Sequence, residues 1–388
     1  MRSLRLLPLL ATLVVPALCA SAPVRTQTPL VVGYIFAQDA QLRPGQIDPQ
    51  SITRANYAFA NIKDGRMVTG FAHDAENYAY LVALKKQNPD FTVLVSVGGW
   101  LWSDKFSDVS LTPQSRTIFE DSVMDFLARY DLDGLDIDWE YPGLPGSTNN
   151  FRPQDGHNFT LLLAELRARF DRQAKKTHRR LYLTIAAGSG QDYLAHTEMM
   201  QDQQYLDTVN LMAYDYVEPG GDTLTGNHAP LLHDPEDSRN FSADQSVRYF
   251  EMAGVPAEKI LLGVPFYGHV WGQVADVNHG YLQPGKQIPN AYSSFDAVSS
   301  TMLKQGYLRY WDVPASVPYL YNPDKHIFVS YEDTESLTAK CRYIIKNKLG
   351  GVMFWDYSGD TTGTLLKAIN QSFHEAEVIP NRKTAARP

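Results

Sequence analysis

The chain has 388 residues, 44% hydrophobic and 20% charged, which suits one large globular domain or two modest ones and argues against disorder. Its formal charge of −8, with no basic run, argues against nucleic acid and anionic membranes as partners. With only two cysteines it is no disulfide scaffold, so core packing must hold it together.

At the N-terminus, Arg2 and Arg5 precede an apolar run from Leu6 to Leu18 and the small residues Ala20, Ser21 and Ala22. This reads as a cleaved signal peptide over 1–22, so the protein is expected to be secreted, extracellular or periplasmic. Cleavage takes away both arginines, moving the formal charge from −8 to −10, and also Cys19. Nothing later in the chain is apolar enough to span a bilayer, so no membrane association is expected after signal removal. Eight β-rich runs follow: LVVGYIFA from Leu30, ANYAFANI from Ala55, FTVLVSVGGW from Phe91, DGLDIDWEY from Asp133, LYLTIAAGSG from Leu181, DTVNLMAYDY from Asp207, ILLGVPFYG from Ile260 and GGVMFWDYS from Gly350. Helical periodicity fills several gaps, as in Ile118, Phe119, Val123, Phe126 and Leu127 behind a Thr112 cap and Pro113, and again in Phe159, Leu162, Leu163, Leu166 and Phe170. Cys341 shares a helical face with Leu337, Ile344 and Ile345 and reads as a core thiol.

Strands apolar on both faces and alternating with amphipathic helices predict a parallel sheet covered by helices, and the count of eight favours a closed (β/α)8 TIM barrel over a doubly wound open sheet. A barrel would gather functional groups at the C-terminal ends of its strands. The interval between the seventh and eighth strands exceeds a single crossover. Its segment 271–330, rich in Tyr, Pro and Gly, predicts a small α+β insertion domain walling a cleft. The barrel then comprises 27–270 and 331–375, followed by a frayed tail, 376–388. A monomer is expected.

Within LDGLDIDWEYPG, Leu132 to Gly143, a strand's side-chain period of two turns Asp136, Asp138 and Glu140 to one face and Leu135, Ile137 and Trp139 to the other. A solvent-facing antiparallel strand could alternate in this way, but the neighbouring strands read as buried on both faces, which puts the acids in the lumen. Crowded carboxylates raise one another's pKa values and titrate as a set. Glu140, at the mouth end, is placed to keep a proton and donate it to a leaving group, with Asp138 beside it: a general acid. A magnesium or calcium site is the weaker alternative, because a single strand cannot surround an ion.

DGLDIDWEYPG resembles the Asp-Gly-x-Asp-x-Asp-x-Glu signature of glycoside hydrolase family 18, the chitinases and their relatives. SVGG at Ser96–Gly99, MAYD at Met212–Asp215, Trp355 in VMFWD, YAFA and FYG extend the resemblance along nearly the whole mature chain. It implies retaining hydrolysis of chitin or chitooligosaccharides in which the substrate's own N-acetyl oxygen is the nucleophile, an exception to the two-carboxylate scheme. No cofactor or metal is implied. Glu140 would be the proton donor, Asp138 would orient the acetamido group, Asp136 would share a proton with Asp138, Tyr214 would bond the acetamido oxygen and Asp215 would contact the sugar. Tyr34, Phe59, Ser96, Gly98, Gly99, Trp100, Tyr141, Met212, Tyr267 and Trp355 would bind substrate, Trp355 as an apolar floor. Trp102, Trp271 and Trp311 are further candidate stacking platforms. His269 and Asp356 depart from the arginine and glutamate common in the family. An endo-β-N-acetylglucosaminidase, a wall-glycan hydrolase and a non-catalytic chitin-binding lectin share much of this pattern; the intact Glu140 separates the enzymes from the lectin.

Overall fold

The structure, a computed structural model, describes residues 28–384; the signal-peptide reading lies outside them. In chain order the strands are β1 (Leu30–Phe36), β2 (Arg54–Lys63), β3 (Arg66–Val68), β4 (Thr92–Gly98), β5 (Gly134–Asp138), β6 (Tyr182–Gly188), β7 (Thr208–Met212), β8 (Ile260–Pro265), β9 (Tyr267–Gly272), β10 (Lys286–Ser294), β11 (Leu308–Asp312), β12 (Val317–Asn322), β13 (Ile327–Ser330) and β14 (Gly351–Trp355). Eight of them pair in parallel in the order β1-β14-β8-β7-β6-β5-β4-β2, and a β1–β2 pairing closes the ring. This is a (β/α)8 barrel whose strands are the eight runs read from the sequence. The hairpin strand β3 alone joins it antiparallel.

Helices Asp74–Ala83, Pro113–Tyr130, Asp155–Thr177, Ala243–Met252, Thr334–Asn347 and Thr364–Thr384 surround the ring. The second begins where the sequence indicates: Thr112 accepts from Ser115 N, Ser115 returns the bond and Pro113 stands at the first turn. Phe119, Val123, Phe126 and Leu127 turn inward, whereas Ile118 is exposed. Leu135, Ile137 and Trp139 of the acid strand enter the layer between sheet and helices, Trp139 stacking on Phe106 at 5.3 Å and meeting Phe159 edge-on at 5.4 Å. Each such buried side chain contributes on the order of 1.5–3 kcal/mol, which fixes the strand's facing and leaves its other face to the lumen.

Strands β9–β13 form a separate antiparallel sheet, order β10-β9-β13-β12-β11, accompanied by the helix Phe295–Ser300. The sheet begins at Tyr267, a few residues before the boundary expected at 271, because β9 follows β8 almost without a break. Trp271 is fully buried with Tyr281, Tyr319, Tyr321 and Phe328 in this subdomain's core, so it is not a platform for sugar. Trp311, on β11, lies under the Arg309 guanidinium. At the C-terminus Asp360 caps the last helix at Leu365 N, Leu365, Ile369 and Phe373 pack inward, and the helical backbone runs to Thr384, into the segment read as a tail from 376, of which 385–388 lie outside the described residues. Cys341 is buried, and burial pushes its thiol up to about 12, so it is an inert core residue. Among the described residues no helix is long and apolar enough to cross a membrane.

Candidate active site

Register brings the first acid its partners. β4 sets Ser96 opposite Asp136 on one side and β6 sets Thr184 opposite it on the other. Barrel closure brings Tyr34 of β1 and Asn210 of β7 across the lumen. Asp136 Oδ2 accepts from Tyr34 Oη at 2.7 Å and Ser96 Oγ at 2.8 Å, while Oδ1 accepts from Asn210 Nδ2 at 3.0 Å and from Thr184 Oγ1. Below this, Arg54, itself buried, donates to Thr208 Oγ1 at 3.3 Å, and Thr208 donates to Asn210 Oδ1 at 3.2 Å. Burial raises the Asp136 pKa, while the bonds from Thr184, Tyr34 and Ser96 and the charge of Arg54 act against that rise. Three hydroxyls and an amide, from four other strands, thus surround both oxygens of Asp136, and its pKa still lies above the ordinary carboxylate value.

Asp138, one pleat higher, has no such support. Its Oδ1 is buried and, among the described residues, without a hydrogen-bond partner, and burial followed by the charges of Glu140 and Asp136 raises its pKa well above the carboxylate range. A proton on Asp138 relieves both the repulsion and the desolvation. Glu140 stands at the strand's mouth, where burial, reinforced by the charges of Asp215 and Glu218 and opposed by a hydrogen bond from Tyr141, pushes it up to about 7. Its backbone is pinned: Ser103 Oγ accepts from Glu140 N at 2.9 Å and reaches the Asp138 and Gly99 carbonyls, and Gly99 N donates to Asp138 O at 2.8 Å. This approach requires glycine at 98, where φ is +104° and a Cβ would lie 2.3 Å from Asp138 O.

Above the acids opens a cleft of about 670 Å³. Asp138 and Glu140 line it with Tyr34, Phe59, Gly98, Trp100, Tyr141, Met212, Tyr214, Asp215, Tyr267 and Trp355, all of them candidates from the sequence, and with Trp102. Trp355 stacks on Phe59 at 5.4 Å and touches Tyr34 and Phe36, an apolar floor built from three strands. Three candidates have other places than expected. Ser96 is fully buried under the floor and serves Asp136; Gly99 lies against the Phe59 ring, where a Cβ would come within 2.6 Å; and Tyr34, though its ring borders the cleft, commits its hydroxyl to Asp136. Among the described residues Tyr214 Oη has only the weak acceptor Met353 Sδ, at 3.8 Å, which leaves it able to turn to a ligand.

Asp215, at φ +58°, follows β7 and accepts from Tyr267 Oη at 2.7 Å to each oxygen and from His269 Nε2 at 2.8 Å, with His228 Nδ1 at 3.5 Å. Burial would raise its pKa, but bonds from His228 and His269 hold it well below the usual carboxylate range. Sequence reasoning named His269 only as a departure and missed His228, which arrives on the loop after β7. It also missed Thr184 and Phe71, which lines the cleft against Phe36 and Trp102. Thr184 shares strand parity with Ala186 and Gly188, both on the cleft wall, so period two alone would have found it.

The match to known proteins covers this whole assembly. The family model described as Glycosyl hydrolases family 18 fits residues 30–360. Chitinase A1 of Niallia circulans is 34% identical over 98% of this chain and 64% of its own length, so the chain spans just under two thirds of that relative. The structure of a glycoside hydrolase family 18 N-acetylglucosaminidase from Paenibacillus barengoltzii aligns with a TM-score of 0.80 at 38% identity, over 89% of this chain and 99% of that one. Human YKL-39, a pseudo-chitinase with retained chitooligosaccharide binding properties, aligns at 0.81 with 25% identity, over 89% and 100%. Acid strand, donor ring and cleft all fall inside the matched span, and the chain belongs to glycoside hydrolase family 18.

Proposed function

We propose that this protein is a secreted chitinase that cleaves β-1,4 links between N-acetylglucosamine units with retention, by substrate assistance. The observation that carries the reading is the pairing in one cleft of two neighbouring acids, Glu140 at the mouth and Asp138 beneath it, both with pKa values raised by burial, over an aromatic floor. A further carboxylate on the cleft wall, Asp215, has both oxygens engaged by Tyr267 and one by His269, which suits it poorly to nucleophilic attack. Glu140 would give its proton to the glycosidic oxygen as the substrate's acetamido oxygen closes on the anomeric carbon. Asp138 would take the acetamido N–H, Tyr214 would donate to the acetamido oxygen and Trp355 would seat the distorted sugar. The Glu140 carboxylate then removes a proton from water, whose oxygen opens the oxazolinium ring from the face the leaving group left. Secretion rests on the N-terminal charge and apolar pattern alone.

The test is the product profile on chitin hexamer with anomeric resolution. Oligosaccharides released first as the β-anomer are expected. Initial α-anomer, or an intact hexamer, would overturn the reading, and release of single sugars alone would favour the N-acetylglucosaminidase activity of the Paenibacillus barengoltzii relative.

A further inference from the structure

We propose that Asp215, His228 and His269 form a binding site for a divalent transition metal, zinc or copper, in the wall of the cleft, and that an ion held there inhibits hydrolysis. The inhibitory half rests on the hydrolase reading above; the binding half does not. One donor atom from each residue lies within 4.8 Å of the others. Asp215 Oδ1 stands 2.8 Å from His269 Nε2 and 3.5 Å from His228 Nδ1. A tetrahedral ion with bonds of about 2.0–2.1 Å sets adjacent donors roughly 3.3 Å apart, a spacing those two distances bracket. Two imidazoles and one carboxylate suit zinc, copper or nickel better than magnesium or calcium, which prefer oxygen alone.

The three groups are held in place before any ion arrives. His269 sits in β9, paired on one side with Ser330 of β13, and the His228 backbone donates to Ser330 Oγ at 2.9 Å and accepts from Tyr216 N at 3.0 Å. The Tyr267 hydroxyl, at 2.7 Å from both Asp215 oxygens, fixes the plane of the carboxylate, as partners of metal ligands do. His228 is under-used as it stands. Its ring is fully buried, Nε2 has no hydrogen-bond partner among the described residues, and Nδ1 reaches Asp215 only at the limit of a hydrogen bond. The long contact to Asp215 leaves the Nδ1 lone pair available, and a metal there would replace a marginal hydrogen bond by a ligand bond. Access exists from the cleft, since the Asp215 side chain lines it and is 37% exposed, which leaves the fourth coordination position to water or ligand. Inhibition follows from position. The ion would take lone pairs of Asp215 and, with its water, occupy the wall facing Glu140 where a sugar must lie.

The full chain is titrated with zinc chloride by calorimetry, magnesium chloride serving as the control, and copper binding is followed by electron paramagnetic resonance. One zinc per chain, no magnesium binding and nitrogen hyperfine coupling on copper are expected. His269→Gln and His269→Arg should each weaken zinc binding by more than tenfold; both alter a partly exposed ring, and a melting curve shows that they fold. Zinc should also displace chitin tetramer from the wild type, read by fluorescence whether or not the sugar is cleaved, and should slow turnover of the wild type but not of His269→Arg. Zinc affinity unchanged in both variants would place the ion elsewhere, for instance at the exposed His157–Glu198 pair, and overturn the site. Binding at the site without displacement of sugar or loss of turnover would overturn the inhibitory half.

Discussion

Glu140→Gln tests the acid strand in two independent ways, because the fold that keeps the proton on Glu140 must also be destabilised when that proton is lost. Its carboxyl is pushed from an ordinary 4.5 up to about 7, with burial the largest cause. At 1.36 kcal/mol per pH unit this is about 3 kcal/mol, reduced to roughly 2 kcal/mol because the carboxyl meets the water of the cleft. The sign is that of an acid whose folded pKa exceeds the unfolded one: its stability contribution is fully present below 4.5 and is lost as pH rises to about 7. Glutamine mimics the neutral acid, so the variant should match the wild type in urea unfolding at pH 4 and exceed it by about 2 kcal/mol at pH 8. Turnover should fall by at least about 10³-fold, the upper part of the range for a general acid, while chitin tetramer still binds within about threefold. Wild-type kcat/KM should decline above about pH 7 as the donor loses its proton. Parallel stability curves for the two proteins from pH 4 to 8, or turnover that survives in the variant, would refute the reasoning.

Ser96→Ala removes one hydroxyl from Asp136, a bond to a charged acceptor worth about 1.5–3 kcal/mol to the ionised form, and should lower kcat about tenfold with KM nearly unchanged; a change confined to KM would return Ser96 to the substrate-binding role expected from the sequence. Trp355→Ala strips the cleft of its floor and of the Phe59 stack, and kcat/KM should drop about 100-fold on chitin tetramer, with an equal loss of binding by calorimetry. A substrate lacking the N-acetyl group on the reacting sugar should resist cleavage at that link, since its nucleophile is gone; equal cleavage would point to an enzyme nucleophile. Turnover should survive EDTA, and any zinc inhibition should be reversed by it.

How much of this was legible in the sequence follows from the range of each signal. The acid strand was legible because its cause is local: period two sorts Asp136, Asp138 and Glu140 from Leu135, Ile137 and Trp139 within six residues, and Phe106, Phe119 and Phe159 then hold the apolar set outward. The insertion was legible from spacing. What stayed hidden depends on closure and register, which no single segment carries. That Ser96 and Thr184 flank Asp136, rather than the sugar, follows from the β4–β5 and β5–β6 alignments; that Tyr34 and Asn210 reach the same carboxylate requires β1 and β7 to face each other across a ring. A shared proton was a sound expectation for two carboxylates on one strand. The hydroxyls of Thr184, Tyr34 and Ser96, from three other strands, act against the rise that burial gives the Asp136 pKa, whereas Asp138 Oδ1 has no hydrogen-bond partner among the described residues. The surroundings of the acid pair are therefore set by residues spread from Tyr34 to Asn210, which meet only inside a closed barrel.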